Sequence, residues 1–180
     1  MIKINNTEQL YYTKYKYINL ELFEVLTYSL LSFCLPIFLG HPQWFVGSIV
    51  NFFLAICAIR FEFKKVLPLI FFPSLGVFIA GVLFSQNTSY ILYFLPIIWI
   101  ANALYVISIQ KLVRTKRLYK WWYSTAIVSL IKAVVLFSFA ILFVFAFNFP
   151  KSFLIAMGPM QLLTATIGIY LALIVNKLNN

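Results

Sequence analysis

Four polar side chains lie deep within apolar stretches of this sequence, and any chemistry starts with them. Asn51 falls about eight residues into the stretch 43–60, and Asn102 near the middle of 90–110. Gln161 falls about eight residues into 153–175, and Lys132 about nine residues into 123–148. At about 1.5 Å per residue, a helical reading puts all four in the middle third of a bilayer. Lipid offers no hydrogen bonds, so a polar group at that depth needs a partner or a purpose. The Lys132 amine is suited to holding an anionic group. The three amides, with the Thr164 hydroxyl one turn after Gln161, are suited to lining a binding cavity. Structural readings stand beside these. Asn51, Asn102 and Gln161 serve equally well to tie helices together. Lys132 could snorkel, but it sits roughly 13 Å from the end of its stretch, further than one side chain covers without local water.

Two features mark the rim. His41-Pro42-Gln43 lies between the first two apolar stretches, and His41 and Gln43 complete the candidate substrate-binding set with Asn51, Asn102, Lys132, Gln161 and Thr164. A lone histidine in a loop is otherwise simply solvated. Gly158-Pro159 stands a few residues into the last stretch, where proline removes a helix donor and should break or kink the helix. Irregular backbone at depth survives only in a protein interior or beside a cavity. A site near 158–164 follows. Pro36, Pro68, Pro73 and Pro96 add kinks that suit a hollow bundle.

Several chemistries lack their residues. There is no phosphate-binding Gly-rich loop with Lys and Ser/Thr, no HExxH and no Ser/His/Asp set in the apolar stretches. One histidine does not make a multi-histidine haem or metal site, and two cysteines do not hold a four-cysteine iron–sulfur cluster. Cys34 and Cys57 fall in apolar sequence and read as small hydrophobes. No catalytic residue, metal or cofactor is expected, and the chain does not read as an enzyme.

The elements that position these residues follow from composition. Of 180 residues, 63% are apolar and 10% charged, with twenty phenylalanines. Mean hydropathy is +0.96. A soluble domain carries roughly 25% charged residues, and one of this length lacks the interior to hide so much apolar surface. Lipid is the expected solvent. Six stretches are long enough to span: 22–40, 43–60, 66–84, 90–110, 123–148 and 153–175. Residues 1–21 form a polar and aromatic N-terminal segment, either frayed or lying along the membrane surface with Tyr11, Tyr12, Tyr15 and Tyr17. Residues 22–176 form one transmembrane domain, and 177–180 a short tail. No cleavable signal peptide is evident.

The net charge of +10 is set in short runs between apolar stretches, which argues for membrane topology and against nucleic acid. With the N-terminus inside, twelve Lys and Arg lie on the inner side and only Lys151 on the outer; Lys132 is within the membrane. Trp121, Trp122 and Tyr123 then mark the inner interface, and Trp44, Tyr90 and Tyr93 the outer one. Aspartate is absent, and Glu24, near the inner end of the first span, is expected to sit at the interface, the alternative being a pair with a lysine of the inner face. Rows of small residues predict close helix contacts: Gly47, Asn51 and Ala55; Gly76 and Ala80; Thr164, Gly168 and Ala172. The expected fold is an all-α integral membrane protein, a six-transmembrane-helix bundle with both termini cytoplasmic, in the cell membrane.

The motif His41-Pro42-Gln43, followed by Gly47-Ser48-Ile49-Val50-Asn51, resembles the HPQ…GPIVN stretch of a group of small bacterial membrane proteins. That group is similar to the substrate-binding (S) components of energy-coupling factor (ECF) transporters. The resemblance continues through Leu67-Pro68, Pro73-Ser74-Leu75, Leu95-Pro96, Asn102-Ala103, Leu130-Ile131-Lys132, Pro159-Met160-Gln161, Thr164-Ala165 and Gly168, in order over 41–172. It implies a six-helix S component that binds a vitamin-like small molecule near the outer surface. A separate transmembrane coupling subunit and cytoplasmic ATPases would energise it. The departures are Ser48 in place of proline and a first span without alanine, whose small residues are Ser29, Ser32 and Cys34. The alternative to a transport component is a non-catalytic scaffold or assembly subunit.

Overall fold

A computed structural model describes residues 6–39, 41–81, 88–115 and 122–178, with side chains from residue 20 onward except at 88, 89 and 122. The chain runs through α1 (Asn6–Phe38), α2 (Gln43–Arg60), α3 (Phe63–Ala80), α4 (Thr88–Arg114), α5 (Trp122–Ala146), α6 (Ser152–Met157) and α7 (Pro159–Leu178), with no strand among the described residues. Six candidate spans result, the last being α6 and α7 together, Ser152–Leu178. Helix is what an apolar solvent enforces, since every backbone N–H and C=O must then be satisfied within its own segment.

Where the helices stop, the sequence says why. α2 begins after Pro42 and ends when Phe61 turns extended, at φ −120° and ψ 161°. α3 ends at Gly81, which adopts the left-handed conformation (φ 62°) and returns its N–H to Val77 O. The sixth span breaks at Gly158 (φ −106°, ψ −97°). Pro159 then opens α7, leaving the Ile155 carbonyl without the N–H that a continuous helix would supply. α1 is longer than expected. It is helical from Asn6 over 33 residues, about 50 Å, and only Leu20–Phe38 has the character of a span. Trp121, Lys116, Arg117 and Lys120 lie outside the described residues.

Short links make neighbours antiparallel, so the bundle has two distinct ends. At one, Arg60 pairs with Glu24 (2.8 Å), Lys65 pairs with Glu21, and Gln110 Nε2 donates to Phe61 O (3.0 Å). Glu24 therefore has a specific partner, where interfacial exposure was the simpler expectation. Lys64, Lys111, Arg114 and Lys177 lie exposed at this basic end. At the other end, Phe94 of α4 stacks on Phe153 of α6 (5.0 Å, 19°), with Phe143, Phe149 and Tyr90 packed around them. Of the described basic residues, only Lys151 belongs to this aromatic end.

Helices α2, α7, α5, α4 and α3 touch in a ring, α2 also reaching α4 across it, while α1 packs outside on α3 and α2. The small-residue rows set the closest approaches. A Cβ at Gly168 would lie 2.6 Å from the Asn51 carbonyl carbon, and one at Gly76 would lie 2.2 Å from Phe33 O of α1. Ser29 and Ser32 of α1 are fully buried in the bundle. The outer surface is apolar, with Phe23 and Leu30 on α1, Leu130 and Phe145 on α5 and Ile174 on α7 all about half exposed or more. Apolar outside and polar groups inside is the distribution of a multi-pass membrane protein.

Candidate functional site

The buried polar residues converge. Lys132 of α5 is 2% exposed, and its Nζ donates to Asn51 Oδ1 of α2 at 2.5 Å. Asn51 Nδ2 in turn donates to Gly47 O (2.9 Å) and to Thr164 Oγ1 of α7 (3.1 Å). Thr164 Oγ1 donates to Met160 O (2.9 Å), closing the network against the start of α7. Three helices far apart in sequence thus meet through one amide. The amine points into the bundle and does not snorkel. The face of the Tyr105 ring lies 5.1 Å from Nζ, and the Tyr105 hydroxyl is held by Ala165 O at 2.8 Å.

Above this network is a cavity offering about 100 Å³ to water centres, lined from every helix of the bundle. Its lining comes from the C-terminal half of α3 (Pro73, Ser74, Val77), the N-terminal halves of α2 and α4 (Gln43 to Asn51; Ile91 to Asn102), and Met157 to Thr164 across the α6–α7 break. Those segments all belong to the aromatic half of the bundle. Asn51 stands about 12 Å along α2 from Gln43, so the floor lies near mid-depth and the mouth at the aromatic end. Pro36 and Pro73 line it, and Met157 and Met160, on either side of the Gly158-Pro159 break, line it too.

Six of the seven candidate residues line this cavity: Gln43, Asn51, Asn102, Lys132, Gln161 and Thr164. His41 does not. It is exposed in the extended link ahead of α2, one residue before Pro42, and the chain turns inward only at Gln43. Asn102 is buried and uses Nδ2 on Ile70 O (3.1 Å), bracing α4 on α3. The half-buried Gln43 and Gln161, also in the lining, have no side-chain partner among the described residues.

Sequence reasoning overlooked Tyr105 and the Trp99–Ser74 pair, in which Trp99 Nε1 donates to Ser74 Oγ at 2.9 Å. Both aromatics stand three residues from Asn102, on its own helix face, and that spacing was the available signal. Comparison with protein-family models, with curated proteins and with solved structures finds no match to this chain.

Proposed function

We propose that the protein is the membrane-embedded substrate-binding component of an ECF-type uptake transporter. It captures a vitamin-like small molecule from the outside and relies on a separate coupling subunit and cytoplasmic ATPases for energy. The observation that carries this reading is the cavity, with a polar cluster at mid-depth and a lining drawn mostly from the aromatic half of the bundle. Under the positive-inside rule the basic end faces the cytoplasm, both termini with it, and the mouth faces out across the cell membrane. The short helix α6, anchored by the Phe94–Phe153 stack, fixes one wall. Reorientation of the whole bundle, driven by the partners, would release the ligand inward. Ser29 and Ser32 of α1 are buried against the bundle and offer no surface to a coupling subunit.

A second reading has its own support. Asn51, Lys132 and Thr164 join three helices, as they would in a purely structural scaffold or assembly subunit. Purification in mild detergent, with mass spectrometry of co-purified small molecules and subunits, separates the two. Recovery of a small molecule and of coupling and ATPase subunits is expected. Recovery of neither, while a known S component treated identically stays loaded, supports the scaffold. Orientation is tested with Lys151→Cys and Arg114→Cys in intact cells. An impermeant thiol reagent should label the first and not the second, and the reverse pattern refutes the outward mouth.

A further inference from the structure

The cavity is chemically graded. At the floor, Lys132 donates one bond to Asn51 Oδ1 and has no carboxylate partner among the described residues. Glu24 and Glu21 are engaged at the basic end by Arg60 and Lys65. Above it the lining is mostly apolar, with Val46, Val50, Val77, Ile91 and Ile98 beside the polar Ser74 and Asn102. Gln43 at the start of α2 and Gln161 one turn from Thr164 add two neutral amides with no side-chain partner among the described residues. When protonated, a buried amine without a counter-charge attracts an anion strongly, because the surroundings screen it little. One cation matches one negative charge, and a dianion would bring a second charge into an apolar sleeve.

Size narrows the class further. At roughly 10–15 Å³ of such space per water, the cavity has room for about seven to ten waters, or roughly 200–300 Å³ of molecule. That lies at the lower edge of ordinary ligand sites and suits a body on the order of a dozen non-hydrogen atoms.

Resting on the substrate-binding reading above, we propose that the cavity selects small organic monoanions. The carboxylate lies against Lys132 Nζ, whose remaining hydrogens are not taken by Asn51, the apolar body fills the sleeve, and any neutral polar group meets Gln43 and Gln161. A membrane fatty acid carries the same head on a body too long for the sleeve.

The test uses the full chain in lipid nanodiscs, titrated calorimetrically with phenylpropanoate, phenylpropanamide, phenylpropylamine and palmitate. Wild-type protein should bind the short carboxylate about tenfold to a hundredfold more tightly than its amide, the margin of a buried charge-assisted hydrogen bond, and the amine and palmitate more weakly still. Lys132→Met and Lys132→Gln should each bring the carboxylate down to the level of the amide. If one variant fails to fold, the other and the wild-type ranking decide. Equal binding of acid and amide, or an acid preference that survives both variants, overturns the proposal. Palmitate binding as tightly as phenylpropanoate overturns the size argument and makes this a lipid site. A neutral or cationic molecule recovered with the purified protein sinks the monoanion class and leaves the substrate-binding reading standing. No recovered molecule together with no binding across the panel sinks both.

Discussion

Gly168 links helix packing to the cavity floor, and Gly168→Ala should damage both. The new Cβ would lie 2.6 Å from the Asn51 carbonyl carbon and from Phe52 N, and 2.7 Å from Asn51 Cβ. Ordinary carbon contacts begin near 3.5 Å, so α2 and α7 must part by about 0.9 Å. The neighbours are mostly backbone, and no side-chain rotation relieves the clash. The Asn51 Nδ2 to Thr164 Oγ1 bond crosses the same helix pair at 3.1 Å. Even half of that separation along the bond carries it beyond about 3.5 Å, where it ceases to count. Overpacking costs about 1–3 kcal/mol, and the lost interhelical bond about 0.6 kcal/mol more. Unfolding in mixed micelles with rising SDS should show a loss of about 2–4 kcal/mol. Phenylpropanoate affinity should fall with it, because Asn51 orients the amine. Gly47→Ala is the internal comparison. Its Cβ would meet the Thr164 methyl at 3.0 Å, a smaller overlap that a shift of a few tenths of an ångström relieves, and it should cost about 1 kcal/mol, the low end of the overpacking range. Wild-type stability in Gly168→Ala, or equal losses in the two variants, would refute the backbone-clash reasoning.

Two further substitutions separate the network from its surroundings. Tyr105→Phe removes the 2.8 Å bond to Ala165 O but keeps the ring beneath Lys132. It should lower stability by about 0.5–1.5 kcal/mol in the same micelle titration and leave phenylpropanoate affinity within about twofold. Glu24→Gln breaks a half-exposed ion pair at the basic end. A loss of roughly 0.2–1 kcal/mol is expected, shrinking as salt is raised, and a larger, salt-independent loss would mean the pair is effectively buried.

Much of this arrangement is legible from the sequence, for physical reasons. A lipid solvent demands long apolar helices, so the six spans follow from composition, and the break at Gly158-Pro159 follows from a missing donor. The small-residue rows were informative because only small side chains permit the α2–α7 approach at Gly168. Partner identity was another matter. Lys132 and Asn51 are 81 positions apart, and Glu24 and Arg60 are 36 apart. Nothing local orders helices around a ring, so these pairs exist only after packing. Tyr105 shows the limit most clearly. A tyrosine within an apolar stretch looks the same whether it faces lipid, an interface or a buried lysine. His41 is the converse case, exposed and outside the cavity lining. Its type suggested chemistry, but one residue of extended chain before α2 leaves it exposed.

Lys132 is the residue for which the structural account balances least well. A lysine at the centre of a span is unfavourable by about 2.5–3.5 kcal/mol on insertion scales. Interhelical hydrogen bonds return about 0.6 kcal/mol each on average, and the described contacts of Nζ are one bond to Asn51 and one ring face. If joining helices were the whole role, asparagine or threonine would do it at lower cost, as Asn102 and Thr164 do nearby. Pairing would also ease the cost, but of the described glutamates Glu21 and Glu24 are engaged at the basic end and Glu62 is exposed there ahead of α3. What an amine adds over an amide is charge, and the space beside it is a cavity rather than packed side chains. On the proposed substrate-binding reading, the residual cost is preorganisation, a cation held in place for a counter-charge that arrives with the ligand.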